Sequence, residues 1–383
     1  MRIGILTFHK VINYGAYLQA FSLSQKLKKV FPEDEVEIID YVTAPNRKYF
    51  VVLWNTKHHG IKGGLSELKR ISVFKSMQKN LPLSPESFSA KSLNELYSYI
   101  DNRYDKLIIG SDAVFNWKQT MFPNPFIPEY NFSIPVYTYA ASVHGLRFFD
   151  ESGDKLERCG KVFDKMACIG VRDNCSEKFV KLCSPNAKTI HCCDPTLFID
   201  KNEINSRGLS IKEKLQKKYD FSIDSKYIVV MAPDNAMIKA VSEKYGKDYK
   251  IVSVFVKSSF SDYYISDLNP FEWTVMLKNA SAVITSYFHG TLLSLVQGTP
   301  AVVLDYSGYC DEQYEGKLKD LMITRLSLPE LYFDKSDAVN FVGNDDFYGK
   351  FDDLLGGKYN SAIEAAINNE KKALDDFIEI LKA

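Results

Sequence analysis

The chain has 383 residues, 45% hydrophobic and 25% charged, which is the composition of a folded globular protein of two or three domains. Its 48 Lys and Arg equal its 48 Asp and Glu, which argues against a whole-chain attraction to nucleic acid or to a charged membrane surface. No apolar run has the length of a transmembrane helix, and the first residues lack a signal-peptide pattern. Seven cysteines without CxxC spacing favour a reducing, cytoplasmic location.

The first 41 residues predict a strand–helix–strand unit. Arg2–Thr7 is a strand-like apolar run, Gly15–Val30 has apolar residues at helical spacing, and Glu35–Tyr41 is the second strand. Asn13 is the expected N-cap of the helix. The loop before the helix carries one glycine instead of GxGxxG, so we expect no dinucleotide cofactor.

The chain up to about residue 200 continues as helices and strands. Helices are predicted near Leu65–Lys79, at Ser92–Ile100 and up to Leu182, and strands at Lys106–Ile109, Val136–Ala141, Cys168–Val171 and Thr189–Cys193. Short polar sequences follow the strands, at the carboxyl ends where open parallel sheets bind ligands. These sequences contain Ser111, Asp112, Asn116, His144, Arg172 and Asp194.

Two of these polar residues have a functional and a structural interpretation. Asp112 is able to act as a general base or to bind a sugar hydroxyl, but the same position suits an Asx-type turn or a helix cap. Arg172 is able to hold a phosphate or a carboxylate with its planar guanidinium, or to form a structural ion pair.

A second series of strands and helices follows residues 200–225, which are rich in Lys, Glu, Asn and Ser and predict an amphipathic connector. The series comprises strand Tyr227–Met231, helix Asn235–Tyr245, strand Lys250–Val256 and a helix that begins with Asn269 as cap, Pro270 and Glu272. A last helix, about Ser361–Leu381, is expected to pack back across both domains.

The stretch from Ser281 to Pro300 is the centre of the second series. It predicts strand Ala282–Ile284, a polar loop through His289, and helix Thr291–Gln297 ended by Gly298, with strand Ala301–Leu304 beyond it. A helix start presents N–H groups and partial positive charge, so an anion is expected beside His289. The alternative is a loop histidine bonded for structure.

The sequence therefore predicts an α/β protein with two doubly wound, Rossmann-like domains facing across a cleft. We expect an N-terminal domain at 1–200, a connector at 201–225, a C-terminal domain at 226–357 and a helix at 358–383 that packs back. The cysteines between Cys159 and Cys193, with His191 nearby, match no zinc-ligand spacing, so we expect no metal.

With these motifs identified, the sequence resembles the polysaccharide pyruvyl transferase family. The motifs are Ile3-Gly-Ile-Leu-Thr-Phe, Asn13-Tyr-Gly-Ala-Tyr-Leu-Gln-Ala, Ile109-Gly-Ser-Asp-Ala-Val-Phe-Asn116, Tyr139-Ala-Ala-Ser142, Gly170-Val-Arg-Asp173, Asp194-Pro-Thr196 and Val283-Ile-Thr-Ser-Tyr-Phe-His-Gly-Thr291. The resemblance implies a GT-B-like transferase that moves the pyruvyl group of phosphoenolpyruvate onto a sugar as a ketal. Its acceptor would be a cell-envelope polysaccharide such as an exopolysaccharide or capsule, or a lipid-linked precursor at the membrane face. No metal or cofactor and no nucleic acid is implied.

The resemblance also implies residue roles. His289 is the expected general acid, and Asp112 or Asp194 the group that accepts the hydroxyl proton. Donor contacts are expected from Arg172, Ser286, Tyr287, Gly290 and Thr291, and acceptor contacts from Asn13, Tyr14, Gln19, Ser111 and Asn116, with His144 as a further candidate. The chain departs from the family at Tyr287, where some members carry Arg, and at Ala113 and Phe115, where Gln and Trp are common.

Two other functions remain open from the sequence. One is a GT-B glycosyltransferase that uses a nucleotide sugar. The other is a non-catalytic carbohydrate-binding protein, which the departure at Tyr287 favours and the presence of His289 and Arg172 disfavours.

Overall fold

The computed structural model describes residues 1–42, 57, 65, 68–151, 153–307, 314–340 and 345–383. Two compact units divide the chain: the first comprises Met1–Phe198 and Ala373–Ala383, and the second Ile199–Lys372. Each unit contains one parallel sheet with helices, so the predicted α/β class with two Rossmann-like domains is confirmed.

The first unit contains a seven-stranded sheet in the order β3-β2-β1-β4-β5-β6-β7. Its strands are β1 (Arg2–Leu6), β2 (Glu35–Val42), β3 (Leu83–Ser89), β4 (Lys106–Ile109), β5 (Val136–Ala141), β6 (Cys168–Val171) and β7 (Thr189–His191). The order reverses direction between β1 and β4. Ligands of doubly wound sheets bind outside the carboxyl ends of strands at such a reversal.

The α-helices of this unit are Tyr14–Val30, 68–77, Leu93–Arg103, Asp154–Phe163, Asn174–Cys183 and Ala373–Lys382. Single 3₁₀ turns lie at Gln78–Asn80, Phe148–Asp150 and Pro195–Phe198. Strands β1, β4, β5 and β6 are buried on both faces over most of their length, which is why their sequences are mostly apolar.

The second unit repeats this plan with six strands in the order β10-β9-β8-β11-β12-β13. The strands are β8 (Tyr227–Met231), β9 (Lys250–Val254), β10 (Tyr263–Ile265), β11 (Ala282–Thr285), β12 (Ala301–Leu304) and β13 (Tyr332–Phe333). Its order reverses between β8 and β11, so the carboxyl ends of these two strands mark the expected ligand position. Its helices are Lys201–Gly208, Ser210–Tyr219, Asn235–Tyr245, Pro270–Asn279, Phe288–Gln297, Lys317–Lys319, Lys335–Val339, Asp345–Leu355 and Asn360–Glu370, with a 3₁₀ turn at Pro329–Leu331 and a π turn at Asp320–Arg325.

Two end signals predicted from the sequence are confirmed. The Asn269 side chain accepts a bond from the Glu272 N–H at 2.9 Å, and Glu272 accepts one from the Asn269 N–H at 2.8 Å, which completes a capping box. Gly298 ends helix Phe288–Gln297 in the left-handed conformation, at φ 87°.

Helix Phe288–Gln297 begins three residues earlier than predicted. Tyr287, in extended conformation, is its N-cap residue, and the Tyr287 N–H is bonded to Thr285 Oγ1 at 3.0 Å. His289 and Gly290 therefore lie in the first helical turn and not in a preceding loop.

The predicted connector is also corrected. Residues 201–219 form two helices that belong to the second unit, where Lys214 Nζ donates to Glu272 Oε2 at 2.8 Å and Lys278 Nζ to Asn205 Oδ1 at 2.9 Å. The predicted last helix is two helices: Asn360–Glu370 in the second unit and Ala373–Lys382 in the first.

Three edge strands were not predicted, and one inner strand was predicted too long. Strands β3, β10 and β13 had no prediction because they are short or polar, and β3 contains Pro85, which an edge strand tolerates. Strand β9 ends at Val254 instead of Val256, because Phe255 adopts a positive φ of 64°.

Candidate functional site

The family-type motif of the second unit lies at the reversal of its sheet. Residues after β11 sit beside the end of β8, and the Ser286 N–H donates to the Met231 carbonyl at 3.0 Å. The Tyr287 carbonyl accepts bonds from Thr291 N at 2.9 Å and from Thr291 Oγ1 at 3.1 Å. These contacts fix the start of helix Phe288–Gln297 against the two strand ends.

Gly290 permits this close packing. A Cβ at this position would lie 2.7 Å from Thr285 Oγ1 and 2.8 Å from Met231 Cε, both shorter than real contacts. A larger residue would push the helix start away from β8 and β11. The glycine therefore keeps the first-turn N–H groups at the carboxyl edge of the sheet, where an anion is stabilised.

His289 lies in this first turn and is partly exposed. Its ring meets the buried Phe288 ring edge to face, with centroids 5.2 Å apart. Lys317 Nζ lies 5.6 Å from the Phe288 ring centroid and adds positive charge beside the helix start. The arrangement combines a proton-transfer group with two sources of positive potential, which suits the chemistry of an anionic substrate.

Polar residues after β8 and β12 also occupy this edge and were not singled out from the sequence. Asp234 caps helix Asn235–Tyr245 through the Ala236 N–H at 2.9 Å, and its other oxygen accepts from Tyr306 at 3.4 Å. Burial, together with Asp234, raises the pKa of the Tyr306 hydroxyl well above its usual value, so Tyr306 stays neutral. The sequence signal for Asp234 and Tyr306 was the position of a polar residue shortly after an apolar strand.

Asp112, in the first unit, makes the local bonds expected of a turn residue. It is half-buried, has φ 81°, and its side chain accepts from the Ala113 N–H at 2.8 Å. Its carbonyl accepts from the Ser142 N–H at 2.9 Å, which joins the end of β4 to the end of β5. The structure thus shows Asp112 as a turn residue, and its catalytic role stays a prediction.

Arg172 is the cation of a buried network. Its Nη1 lies 3.2 Å from Asp194 Oδ2 and its Nε 3.9 Å from Asp173 Oδ2. Burial lowers the Arg172 pKa, but the charges of Asp194, Asp112 and Asp173 outweigh burial and raise it. The Gln19 amide donates to Asp194 at 2.6 Å. Three predicted residues are thus brought together, and the Arg172 charge is balanced inside the unit.

The other predicted acceptor residues make separate local contacts. Asn13 caps helix Tyr14–Val30 through the Gly15 N–H at 2.9 Å, and Asn116 donates to the His144 carbonyl at 2.7 Å. Tyr14 is buried and packs edge to face on Phe74, with ring centroids 5.0 Å apart. Ser111 is also buried, and its hydroxyl has no hydrogen-bond partner among the described residues. A sugar-binding role for these residues stays a prediction.

A buried cluster after β1 escaped the sequence analysis. His9 Nε2 lies 3.1 Å from Asp40 Oδ1 and Nδ1 lies 3.2 Å from the Thr7 carbonyl, so both ring nitrogens face acceptors. Burial would raise the Asp40 pKa, but hydrogen bonds from His9 and Lys10 outweigh burial and lower it to about 2. The only sequence signal was a histidine just past a strand end.

The described cysteines carry thiols and no disulfides. A hydrogen bond with Cys159, together with burial, raises the pKa of the Cys183 thiol far above its usual value. Among the residues that the structure describes, no group of His, Cys, Asp or Glu side chains is arranged to hold a metal ion. None of the helices in the same residues combines the length and the apolar composition needed to cross a bilayer.

The sequence matches the polysaccharide pyruvyl transferase family over residues 13–308. The chain belongs to this family. The match includes every predicted site residue of both units, from Asn13 to Thr291. Membership in the pyruvyl transferase family makes the protein a transferase that modifies polysaccharides. A search of curated proteins found no match.

Solved structures of similar fold cover nearly the whole chain. UDP-GlcNAc 2-epimerase from Neisseria meningitidis, bound to UDP-GlcNAc, aligns with a TM-score of 0.55 at 12% identity, covering 100% of this chain and 99% of that one. MnaA of S. aureus with UDP gives 0.52 at 13% identity, covering 100% and 95%. Anabaena Alr3699/HepE with UDP gives 0.51 at 10% identity, covering 99% and 100%. At these identities the likeness shows the fold: two Rossmann-like domains of the GT-B type.

Proposed function

We propose that this protein transfers the pyruvyl group of phosphoenolpyruvate onto a sugar of a polysaccharide or of its precursor, as a cyclic ketal. One observation carries the proposal: His289, inside the family match, lies in the first turn of helix Phe288–Gln297 at the reversal of the second sheet. A proton donor, a helix start and a strand-end position coincide there.

The second unit supplies groups for the donor. Phosphoenolpyruvate carries a phosphate and a carboxylate. The helix start at Gly290 favours one anion through its partial positive charge, and Lys317 adds a cation next to Phe288. The Thr291 N–H is already bonded to the Tyr287 carbonyl. Tyr287, 40% exposed, and Ser286 flank the position. We therefore assign donor binding to backbone groups, Lys317 and His289, in the absence of the arginine that some family members carry at position 287.

The reaction balances with one acid and one base. His289 protonates the CH₂ carbon of the enol, which becomes a methyl group, and the central carbon becomes cationic. Two sugar hydroxyls form two C–O bonds to that carbon, and the bond to phosphate breaks. One hydroxyl proton replaces the proton that His289 gave, and the other leaves with phosphate. Acid–base help of this kind contributes about 10²–10⁴ in rate.

The first unit is the proposed acceptor side. Half-buried Asp112 would accept the hydroxyl proton, and Ser111 beside it offers a hydroxyl without a described partner. Arg172 is 5% exposed and its Nη1 lies 3.2 Å from Asp194 Oδ2, so we assign it first to positioning Asp194. The acceptor would be a sugar or a lipid-linked oligosaccharide, and the location the cytoplasm, where phosphoenolpyruvate is made.

The test is thermal stability with phosphoenolpyruvate, UDP, GDP and CMP added separately. A ligand at about 100 times its dissociation constant stabilises the folded state by about 2.7 kcal/mol. We expect stabilisation by phosphoenolpyruvate alone, reduced in Lys317→Gln and retained in the surface control Lys178→Gln. Stabilisation by a nucleotide instead would contradict the proposal and favour a nucleotide-sugar glycosyltransferase.

The second test measures turnover of phosphoenolpyruvate. Phosphate release from phosphoenolpyruvate should require an added saccharide, and the product should carry a ketal that mild acid removes. Phosphate release at the same rate without any saccharide would mean hydrolysis and not transfer.

A further inference from the structure

A pocket of about 450 Å³ opens on the first unit, away from the residues discussed so far. Its walls include Val136, the first residue of β5, and Met166, which precedes β6. Both residues lie at the amino ends of parallel strands. The pocket is therefore on the opposite edge of the sheet from Asp112 and Arg172, which follow the carboxyl ends.

One wall of the pocket is basic. Arg158 and Lys161 come from helix Asp154–Phe163, and Lys165 follows it, at spacings of three and four residues that place them on one face. Glu129 is the single carboxylate in the lining, and Arg158 binds it through Nε and Nη2, both at 2.8 Å. Lys161 and Lys165 thus leave a surplus of positive charge, although the whole chain is neutral.

The partners of the two lysines are easily exchanged. Lys161 pairs with Glu157, but the two side chains are 69% and 68% exposed, so the pair contributes little. Lys165 Nζ donates to the neutral Asn131 amide at 2.6 Å. In these contacts neither ammonium group is paired with a buried carboxylate. An anionic ligand would therefore be able to form an ion pair with Lys161 and with Lys165.

Another part of the lining is aromatic. The Tyr130 and Phe132 rings lie 4.7 Å apart, and both pack on Tyr97, at 5.6 and 5.8 Å. Both wall rings are half-buried, so each keeps an accessible part. Aromatic side chains present apolar surface against which the C–H groups of a sugar ring pack, and Asn131 between them offers an amide for hydroxyl groups.

We propose that this pocket binds an acidic saccharide segment, with a ring against Tyr130 and Phe132 and a carboxylate at Lys161 and Lys165. The proposal goes beyond the transfer reaction and rests only on the polysaccharide substrate class of the family. Its volume lies within the range of small-ligand pockets. The pocket would hold part of a polymer at the edge of the sheet remote from the strand carboxyl ends.

The test is direct binding of tetragalacturonate to the full-length protein, measured by calorimetry without donor. Maltotetraose is the neutral comparison and inorganic phosphate the anion without a sugar. Lys161→Glu/Lys165→Glu removes the basic wall at exposed positions, and Lys178→Glu, exposed on helix Asn174–Cys183, is the matched control. In parallel, acetylation of lysines is mapped by mass spectrometry with and without tetragalacturonate.

We expect tetragalacturonate to bind, its affinity to fall by about tenfold or more in the double variant, and Lys178→Glu to bind normally. Lys165 should be protected from acetylation, and binding should weaken with salt. Equal binding by the double variant, equal binding of maltotetraose, or equally strong binding of phosphate alone would each overturn the proposal. Because no donor or turnover is involved, these outcomes are independent of the pyruvyl transfer reaction.

Discussion

The two units have the same strand order around the reversal but opposite chemistry at the strand ends. In the first unit the polar side chains bond one another: Arg172 with Asp194, and His9 with Asp40. These four residues are no more than 8% exposed. In the second unit hydroxyls and backbone groups arrange a helix start, and His289 beside it stays partly exposed.

This difference indicates that the strand-end residues of the first unit mainly stabilise the fold, whereas those of the second unit are placed for chemistry. Removing one partner of a buried ion pair lowers the free energy of unfolding strongly, because the other charge is left unpaired in a low dielectric. Replacing the partly exposed imidazole of His289 at a helix start should change the free energy of unfolding little, but this imidazole is placed to act on a ligand. Substitutions should therefore lower the stability of the first unit and the turnover of the second.

The largest expected effect is on turnover. His289→Asn should lower kcat by about 10²–10⁴-fold, because it removes the proposed acid, while unfolding stays close to wild type. Gly298→Ala, at the other end of the same helix, is the matched control. Its positive φ of 87° should cost about 1 kcal/mol of stability, with kcat retained. If His289→Asn turned over phosphoenolpyruvate normally, the histidine would have no part in the mechanism.

The next largest effect is on the buried network. Arg172→Met should lower the free energy of unfolding by about 3–5 kcal/mol, because Asp194 and Asp173 lose their cation. Arg172→Met/Asp194→Asn removes the leftover charge and should recover part of that loss. Urea titrations of the three proteins measure this. A single variant as stable as wild type would show that the network contributes no stability.

Acid should distinguish Asp40 from ordinary carboxylates. Its folded-state pKa of about 2 lies below the usual 3.8, so the unfolded chain binds the proton first as the pH falls. The stabilisation, about 2 kcal/mol, is complete above about pH 4 and is lost as the pH falls towards 2. Asp40→Asn should remove it at pH 7 and flatten this part of the profile.

Asp267 is the matched residue of the second unit. Burial opposes ionisation there too, but Lys218 and Tyr219 lower its pKa to about 2. Asp267→Asn should leave the acid sensitivity due to Asp40 in place. An unchanged pH profile in Asp40→Asn would contradict the assignment.

The smallest expected effect is at Ser111. Because its buried hydroxyl lacks a described partner, Ser111→Ala should change stability by no more than about 1 kcal/mol, towards greater stability. Steady-state kinetics should show a higher KM for the saccharide with the KM for phosphoenolpyruvate unchanged. Equal rises in both constants would place Ser111 outside the acceptor site.

Local signals predicted the elements whose environment is uniform. Strands β4, β5, β6, β8 and β12 have the predicted bounds because both faces of each are buried and the sequence is mostly apolar, with Lys106 and Thr138 as the polar residues among them. The capping box at Asn269 was equally visible, since its atoms lie within three residues. Edge strands lack such a pattern, and β3, β10 and β13 were missed.

The partners of polar residues could not be predicted. Gln19 and Asp194 lie 175 positions apart in sequence, and only the packing of helix Tyr14–Val30 near the end of β7 joins them. For the same reason the sequence left open whether Arg172 binds an anion or forms an ion pair, and it did not show that Asp194 and Asp173 are the carboxylates beside it. The earlier start of helix Phe288–Gln297 depends on one hydroxyl, Thr285 Oγ1, which spacing does not reveal.

The divided first unit has a consequence for how the protein is made. Its helix Ala373–Lys382 places Phe377 edge-on against Tyr139, with centroids 4.8 Å apart, and the Leu381 carbonyl accepts from Lys106 Nζ. A ribosome synthesises that helix after all of the second unit. The second unit is a continuous stretch of nascent chain, whereas the first unit is complete only once this helix has been made, so a chain cut at Lys372 would leave a newly made domain with an uncovered aromatic surface.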